Sequence, residues 1–317
     1  MSAILRDLKS SSIATYRKQI STILKHAYNK DFNKEDDVLK FFKDAAPFLL
    51  WLNKKKLNTQ IAYLTAVVVY MSPVERNRAI HGYEKIMKFY QIELDKKFRE
   101  KDKIDVKQKT PEEEKNWVEW KDLIKIRNKY KNDLKRRGYR IKSKLKNEDD
   151  FELILKYILA SLYLLHPPRR NVYANTEIIN ERGYFNLTQH ERHNNNYLVV
   201  ISRNNKVFSF GDYKTAKIYG LKKIKLDKEL NSVMNFWLNI NNTKHLLITK
   251  KGEKMTPNNL THYLNRTFSP TGKKISSQML RKIHLTEKFQ PIQEDMKNEA
   301  ELMGHSVSTQ QTKYVKK

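Results

Sequence analysis

The sequence predicts a mainly α-helical protein of two domains, residues 1–108 and 109–317, with one small antiparallel β-sheet confined to the second. Three observations lead there. Apolar residues recur at helical spacing through the first hundred residues, with no strand alternation. The hydrophobic period then lapses across 99–109 (REKDKIDVKQK), a charged stretch that reads as an exposed linker. Strand signals begin only after about residue 184, as short β-rich runs separated by Asn- and Gly-containing turns.

Each element follows from local chemistry. Ser12 is expected to cap a helix carrying Ile13, Tyr16, Ile20, Ile23 and Leu24. Val38, Leu39, Phe41 and Phe42 continue the pattern. Pro47 opens the next helix, with Phe48, Leu49, Leu50 and Leu52 inside it and lysines 54–56 at its C-terminal end, where positive charge is favoured. Asn58 or Thr59 should cap a segment through Tyr70, and Pro73 should open another towards Phe98. After the linker, Thr110, Pro111 and Glu112 to Glu114 form a strong helix start, continued through Trp117, Trp120, Leu123, Ile124 and Ile126. Residues 135–146 (KRRGYRIKSKLK) are a dense basic run, and 151–165 read as one apolar helix stopped by Pro167 and Pro168. Strands are expected at 197–202, 207–210 and 221–226. Helical patterning returns from Leu230 to the end, broken at Pro257.

Composition narrows the function. Lys and Arg number 63 against 35 Asp and Glu, a net charge of +28. A small domain stays soluble with about 2–8 net charges, and a larger excess repels itself in the compact state, so an anionic partner is expected. Hydrophobic residues make up 39% and aromatic residues 11%, enough for packed cores rather than a disordered polycation. Cysteine is absent, which excludes disulfide scaffolds, thiolate catalysis and sulfur-ligated zinc. No signal peptide is read at the N-terminus, and the longest apolar run, 61–71 (IAYLTAVVVYM), is too short to span a bilayer. The charge is dispersed rather than gathered beside an amphipathic anchor, so no membrane partner is expected.

The most specific motifs lie in the second half. LMGHSVSTQQTKYVKK sets Tyr314 nine residues after His305, which follows Gly304. This resembles the Leu-Gly-His to Tyr box of tyrosine recombinases. MLRKIHLT resembles that family's second arginine box, with Arg281 as the arginine, and LYLLHPPRRNVY resembles the first, with Arg169 preferred over Arg170. FGDYKTAKIYGLKKIKL resembles the β-hairpin bearing the family's lysine, here Lys214. The four boxes stand in the family's order across roughly residues 160–317, and PPRR and DYKTAKIYG look most like the branch found in eukaryotic mobile elements and large DNA viruses. The resemblance implies a helical core-binding domain and a catalytic domain that clamp duplex DNA at specific recombination sites. It implies a homotetramer on synapsed DNA, a monomer or dimer otherwise, and an intracellular, DNA-associated location in a host nucleus or viral factory.

The implied chemistry is consistent with these residue types. Phosphodiester cleavage by a protein hydroxyl needs cations on the non-bridging oxygens and a proton for the leaving oxygen. Arginine donates bidentately to phosphate and keeps its charge. By the resemblance, Arg169, Arg281 and His305 hold the phosphate, Lys214 protonates the 5′-oxygen, and Tyr314 forms a 3′-phosphotyrosyl link, with no metal or other cofactor. Lys217 and the basic run, through Lys135, Arg136, Arg137, Arg140, Lys142 and Lys144, are expected to contact DNA phosphates.

Taken singly, each of these residues is ordinary: one of 17 tyrosines, a few of many cations, a histidine beside a helix-ending glycine. Their order and spacing together carry the reading. Two departures remain. Gln278 stands where the family has a histidine; it can donate a hydrogen bond but cannot shuttle a proton, so the base for Tyr314 is unassigned, and His284 lies too far along the helix. Only three residues follow Tyr314, where many relatives carry a further helix that docks on a neighbour, so assembly is expected to use other surfaces or the chain to be shortened. The alternatives are a type IB topoisomerase, which by the resemblance uses the same two arginines, lysine, histidine and tyrosine, and a DNA-binding relative without catalysis.

Overall fold

A computed structural model describes residues 10–31, 38–71, 83–103 and 108–315. The chain divides into two compact units, Met1–Gln108 and Lys109–Lys317. No helix among the described residues is long and apolar enough to cross a membrane.

The first unit is helical. Its helices are α1 (Ser10–Ala27), α2 (Val38–Lys43), α3 (Ala46–Asn53), α4 (Leu57–Met71) and α5 (Tyr83–Asp102). Ser12 lies inside α1 rather than capping it, and α4 begins at Leu57, before the expected caps Asn58 and Thr59. Pro73 falls outside the described residues. The apolar faces meet around Ile20, Phe42, Phe48, Leu64, Val67 and Tyr90. Tyr90 donates from its buried hydroxyl to the Phe42 carbonyl at 3.1 Å, so the one polar atom this ring brings into the core is satisfied. Helix α5 runs through Arg99 to Asp102, so the stretch read as linker is helical over its first four residues.

The second unit contains α6 (Pro111–Lys115), α7 (Trp120–Arg136) and α8 (Asp150–Leu164), then β1 (Thr176–Asn180), α9 (Glu181–Asn186), α10 (Gln189–Asn194), β2 (Asn196–Ser202) and β3 (Asn205–Phe210). It continues through α11 (Ala216–Tyr219), β4 (Lys222–Lys225), α12 (Lys228–Ile240), α13 (Pro257–Thr267), α14 (Ser277–Leu302) and α15 (Val307–Thr309). Thr110 and Glu113 form the expected reciprocal capping box on α6. The helix then stops instead of continuing through Trp117. Asn116 ends it by donating to the Glu112 carbonyl at 2.9 Å and accepting from Lys274 N–H at 2.8 Å.

Helix α8 is buried along most of its length, and the core closes around it with Trp237 of α12 and Leu260 and Leu264 of α13. The sheet order is β1-β2-β3-β4. In place of the antiparallel sheet expected, it is mixed: β1 pairs parallel to β2, and the other pairs are antiparallel. β1 also precedes the first expected strand. A parallel pair needs a crossover, which α9 and α10 supply.

One buried charge has a measurable consequence. Lys206 of β3 is 1% exposed, and its Nζ donates to the Arg203 carbonyl at 2.8 Å and Asn235 Oδ1 at 2.6 Å. Burial, aided by the Arg203 charge, lowers its pKa to about 8. At this residue the unfolded chain keeps its proton up to the ordinary lysine range, so from pH about 8 upward it holds a proton that the folded form has lost, and this group makes stability rise with pH. From pH about 9 the opposite contribution takes over, because burial raises the pKa of several tyrosines, Tyr28 and Tyr130 to about 12, and their phenols ionise first in the unfolded chain. Urea midpoints should therefore climb relative to Lys206→Met between pH about 8 and 9, the difference between the two proteins being the readout.

Candidate active site

Arg169 is set by the end of α8. The helix stops at Leu164, and Pro167 and Pro168 carry the chain in extended form to the 3₁₀ turn at Asn171–Asn175. The Arg169 guanidinium lies over the Phe210 ring at 4.2 Å and the Tyr213 ring at 5.4 Å. Its Nε is buried without a protein partner. Burial holds its pKa below the usual arginine range, and the neighbouring Arg281 charge acts in the same direction. Arg281, in the first turns of α14, is likewise lowered by burial and then by Arg170. Like charges thus crowd a partly desolvated site, an arrangement that an anion would relieve.

Lys214 sits in the connection from β3 to β4, which is longer than a tight hairpin tip and includes α11. Its base is fixed. Asn196 Nδ2 donates to the Asp212 carbonyl at 2.8 Å, and Asp212 N–H donates back to Asn196 Oδ1 at 3.0 Å. A Cβ on Gly211 would meet the Arg192 carbonyl oxygen at 2.2 Å, so only glycine lets the loop start this close to α10. At the far side, the Tyr213 hydroxyl donates to the Gly220 carbonyl at 2.7 Å and ties the loop shut.

These elements enclose a cleft of about 340 Å³. Arg169, Arg170, Lys214, Lys222 and Arg281 line it, with no carboxylate among the described lining residues. Lys222 was not singled out by sequence. Its signal is register, since it pairs with Phe210, the ring beneath Arg169. Arg169 is half-buried and Arg170 exposed, as the stacking of Arg169 requires.

His305 and Tyr314 do not line this cleft. Gly304, in the left-handed region at φ 71°, ends α14 in a Schellman turn: His305 N–H donates to the Ala300 carbonyl at 3.0 Å and Gly304 N–H to the Glu301 carbonyl at 3.1 Å. Ser306 then caps α15, accepting from Thr309 N–H at 3.2 Å, and a π turn follows at Gln310–Tyr314. This brings the two rings together, stacked with centroids 5.1 Å apart. Tyr314 is 64% exposed, and His305 Nε2 is buried without a protein partner.

Gln278 and Lys282 also lie outside the cleft. They line a second depression with Glu112 and Glu113, and Lys282 forms an ion pair with Glu113. His284 packs on Trp120, centroids 4.9 Å apart. In the basic run, Arg137 is taken up by an ion pair with Asp150 and Arg136 by one with Asp133 at 2.5 Å, while Lys135, Arg140, Lys142 and Lys144 are exposed. Lys217 is exposed on α11. Among the described residues no group of three or more His, Asp or Glu side chains is arranged to hold a metal ion. No protein-family model matches the chain, and no curated protein matches it.

Proposed function

We propose that this chain is a site-specific DNA recombinase or integrase that cleaves and rejoins strands through a 3′-phosphotyrosyl intermediate at Tyr314. The observation that carries the reading is the cleft in which Arg169, Lys214 and Arg281, far apart in sequence, meet with Arg170 and Lys222 and without a carboxylate. Such a site suits a phosphodiester. Arg169 and Arg281 donate to the non-bridging oxygens as charge builds on them. Tyr314 Oη bonds to phosphorus, its proton passing to solvent, while the bond to the 5′-oxygen breaks; Lys214 gives that oxygen its proton and regains one from solvent. His305 Nε2 adds a donor to the same phosphate. The phosphotyrosyl bond conserves the energy of the broken linkage, so rejoining needs no ATP.

A second reading, DNA binding without cleavage, draws on Gln278 and on the His305–Tyr314 pair lying outside the cleft. One experiment separates the two. The protein is incubated with a 5′-labelled duplex pool bearing a randomised central segment, then resolved on a denaturing gel. A labelled protein band whose DNA-bearing peptide contains Tyr314 is expected. Retarded DNA on a native gel with no covalent band would leave only the binding reading.

A further inference from the structure

The loop that joins β3 to β4 exposes two large apolar side chains among small and cationic ones. Ile218 is 77% exposed and Tyr219 61% exposed, side by side at the end of α11. Lys214, Lys217, Lys222 and Lys223 flank them in the sequence. Exposed apolar residues scattered singly are ordinary on a protein surface. This pair differs in being held on a braced turn and in standing beside the arginine cleft.

The bracing is local. The Ile218 and Tyr219 N–H groups each donate to the Thr215 carbonyl at 3.1 Å, and Gly220 N–H donates to the Ala216 carbonyl at 2.8 Å. Gly220, at φ 64°, turns the chain back, and its carbonyl accepts from the Tyr213 hydroxyl at 2.7 Å. A side chain presented on such a turn needs little further ordering of the backbone when it binds. Tyr219 lines the cleft with Lys214 and Lys222, and the Lys222 ammonium stands 5.8 Å from the centre of its ring. Ile218 is the next residue, its Cα ~3.8 Å away. Successive phosphates of one DNA strand advance only ~3.4 Å along the axis, so the base steps nearest Ile218 are those flanking a phosphate held in the cleft.

Charge selects the occupant. Four lysines repel a second copy of this chain, whose net charge is +28, and attract a polyanion. A duplex satisfies both parts of the tip: it offers phosphates to the lysines and, through the minor groove, stacked bases between which aliphatic side chains insert. We propose that Ile218, backed by Tyr219, is a wedge that enters the minor groove of duplex DNA and partly unstacks the base step beside the phosphate held in the cleft. The chain then selects its site in part by how readily that step opens, favouring flexible pyrimidine–purine steps over stiff A-tracts. The wedge rests on the recombinase reading only so far as that reading places duplex DNA in the cleft, and it does not require cleavage.

Two labelled duplexes test it, identical except that one carries a central A·A mismatch, which loosens the local stack. In native gels at one salt concentration the wild type should bind the mismatched duplex about tenfold more tightly, because less unstacking remains to be done. A 2-aminopurine next to the mismatch should brighten on binding as it leaves the stack. Ile218→Ser, at a position exposed enough to leave the fold intact, should bring the preference down to about one and abolish the brightening, with the salt dependence unchanged. Ile218→Leu should keep both. Lys217→Ala should do the reverse: weaker binding to both duplexes, a salt slope smaller by about one, and an intact preference. A wild type without the preference, or a preference that survives in Ile218→Ser, overturns the wedge. A change of oligomeric state in Ile218→Ser with no change in preference overturns it too, and makes the pair a contact between copies. Preference and brightening with no covalent band from the randomised pool remove strand cleavage and leave the wedge. Retention of neither duplex overturns the wedge and the DNA reading together.

Discussion

Tyr314→Phe is expected to abolish the covalent protein–DNA band while leaving DNA affinity within a few-fold of wild type. The substitution removes one exposed hydroxyl and keeps the ring, so the stacking on His305 survives. Affinity for duplex DNA comes chiefly from neutralised phosphates, and the cations in the cleft and on the exposed basic run are untouched. The salt dependence of binding should accordingly stay the same. A covalent band persisting in this variant would remove Tyr314 as the nucleophile, whatever the neighbouring motif suggests. Loss of binding together with the band would instead mean that the tip holds DNA rather than cleaving it.

What could be read from sequence follows the range of the interactions. Helix α8 was legible because an apolar run bounded by two prolines is a local signal, and the start of α6 because its capping box lies within four residues. β1 was not. It is five residues long, and its pairing with β2 depends on a crossover through two short helices, so no turn between neighbours announces it. The break after α6 was hidden for a similar reason: Asn116 ends the helix by reaching Lys274, which lies far along the chain. The site divides in the same way. Arg169, Lys214 and Arg281 could be named from their local boxes, but their meeting in one cleft is a product of the fold. Lys222 lies in the same hairpin box as Lys214, but nothing in the box singles it out, and it enters through its register opposite Phe210.

The course of α14 was half legible. Its helical character is plain from the pattern, and Gly304 ends it as a left-handed cap should. A stripe of apolar residues on a helix ordinarily marks a face turned towards its own core. Here Leu285, Phe289 and Ile292 are exposed, so the periodicity was right about the element and silent about what its apolar face meets.

The clamp and the acid differ in what restores activity once each is removed. Arg169→Ala and Arg281→Ala should each slow cleavage by about 10²–10³, the range found when a donor to a developing oxyanion is removed. Arg170→Ala should mainly weaken binding, because its side chain is exposed and lacks the aromatic bed that orients Arg169 over Phe210. If Arg170→Ala stops cleavage and Arg169→Ala does not, the assignment within the Arg169–Arg170 pair is reversed. Lys214→Ala should also slow cleavage, by about 10²–10⁴ if it is the general acid. The difference lies in what restores the rate. An oxygen leaving group needs a proton, whereas sulfur departs readily as a thiolate. On a duplex selected by the wild type and rebuilt with a bridging 5′-sulfur at the scissile phosphate, Lys214→Ala should regain most of its rate. Arg169→Ala and Arg281→Ala should not, since their contribution is to the non-bridging oxygens. Lys222 shares the cleft with Lys214 and is the nearest rival for the role. Sulfur rescue of Lys222→Ala but not of Lys214→Ala would move the acid to the first residue of β4. Rescue of neither would show that both lysines act only by attracting the phosphate.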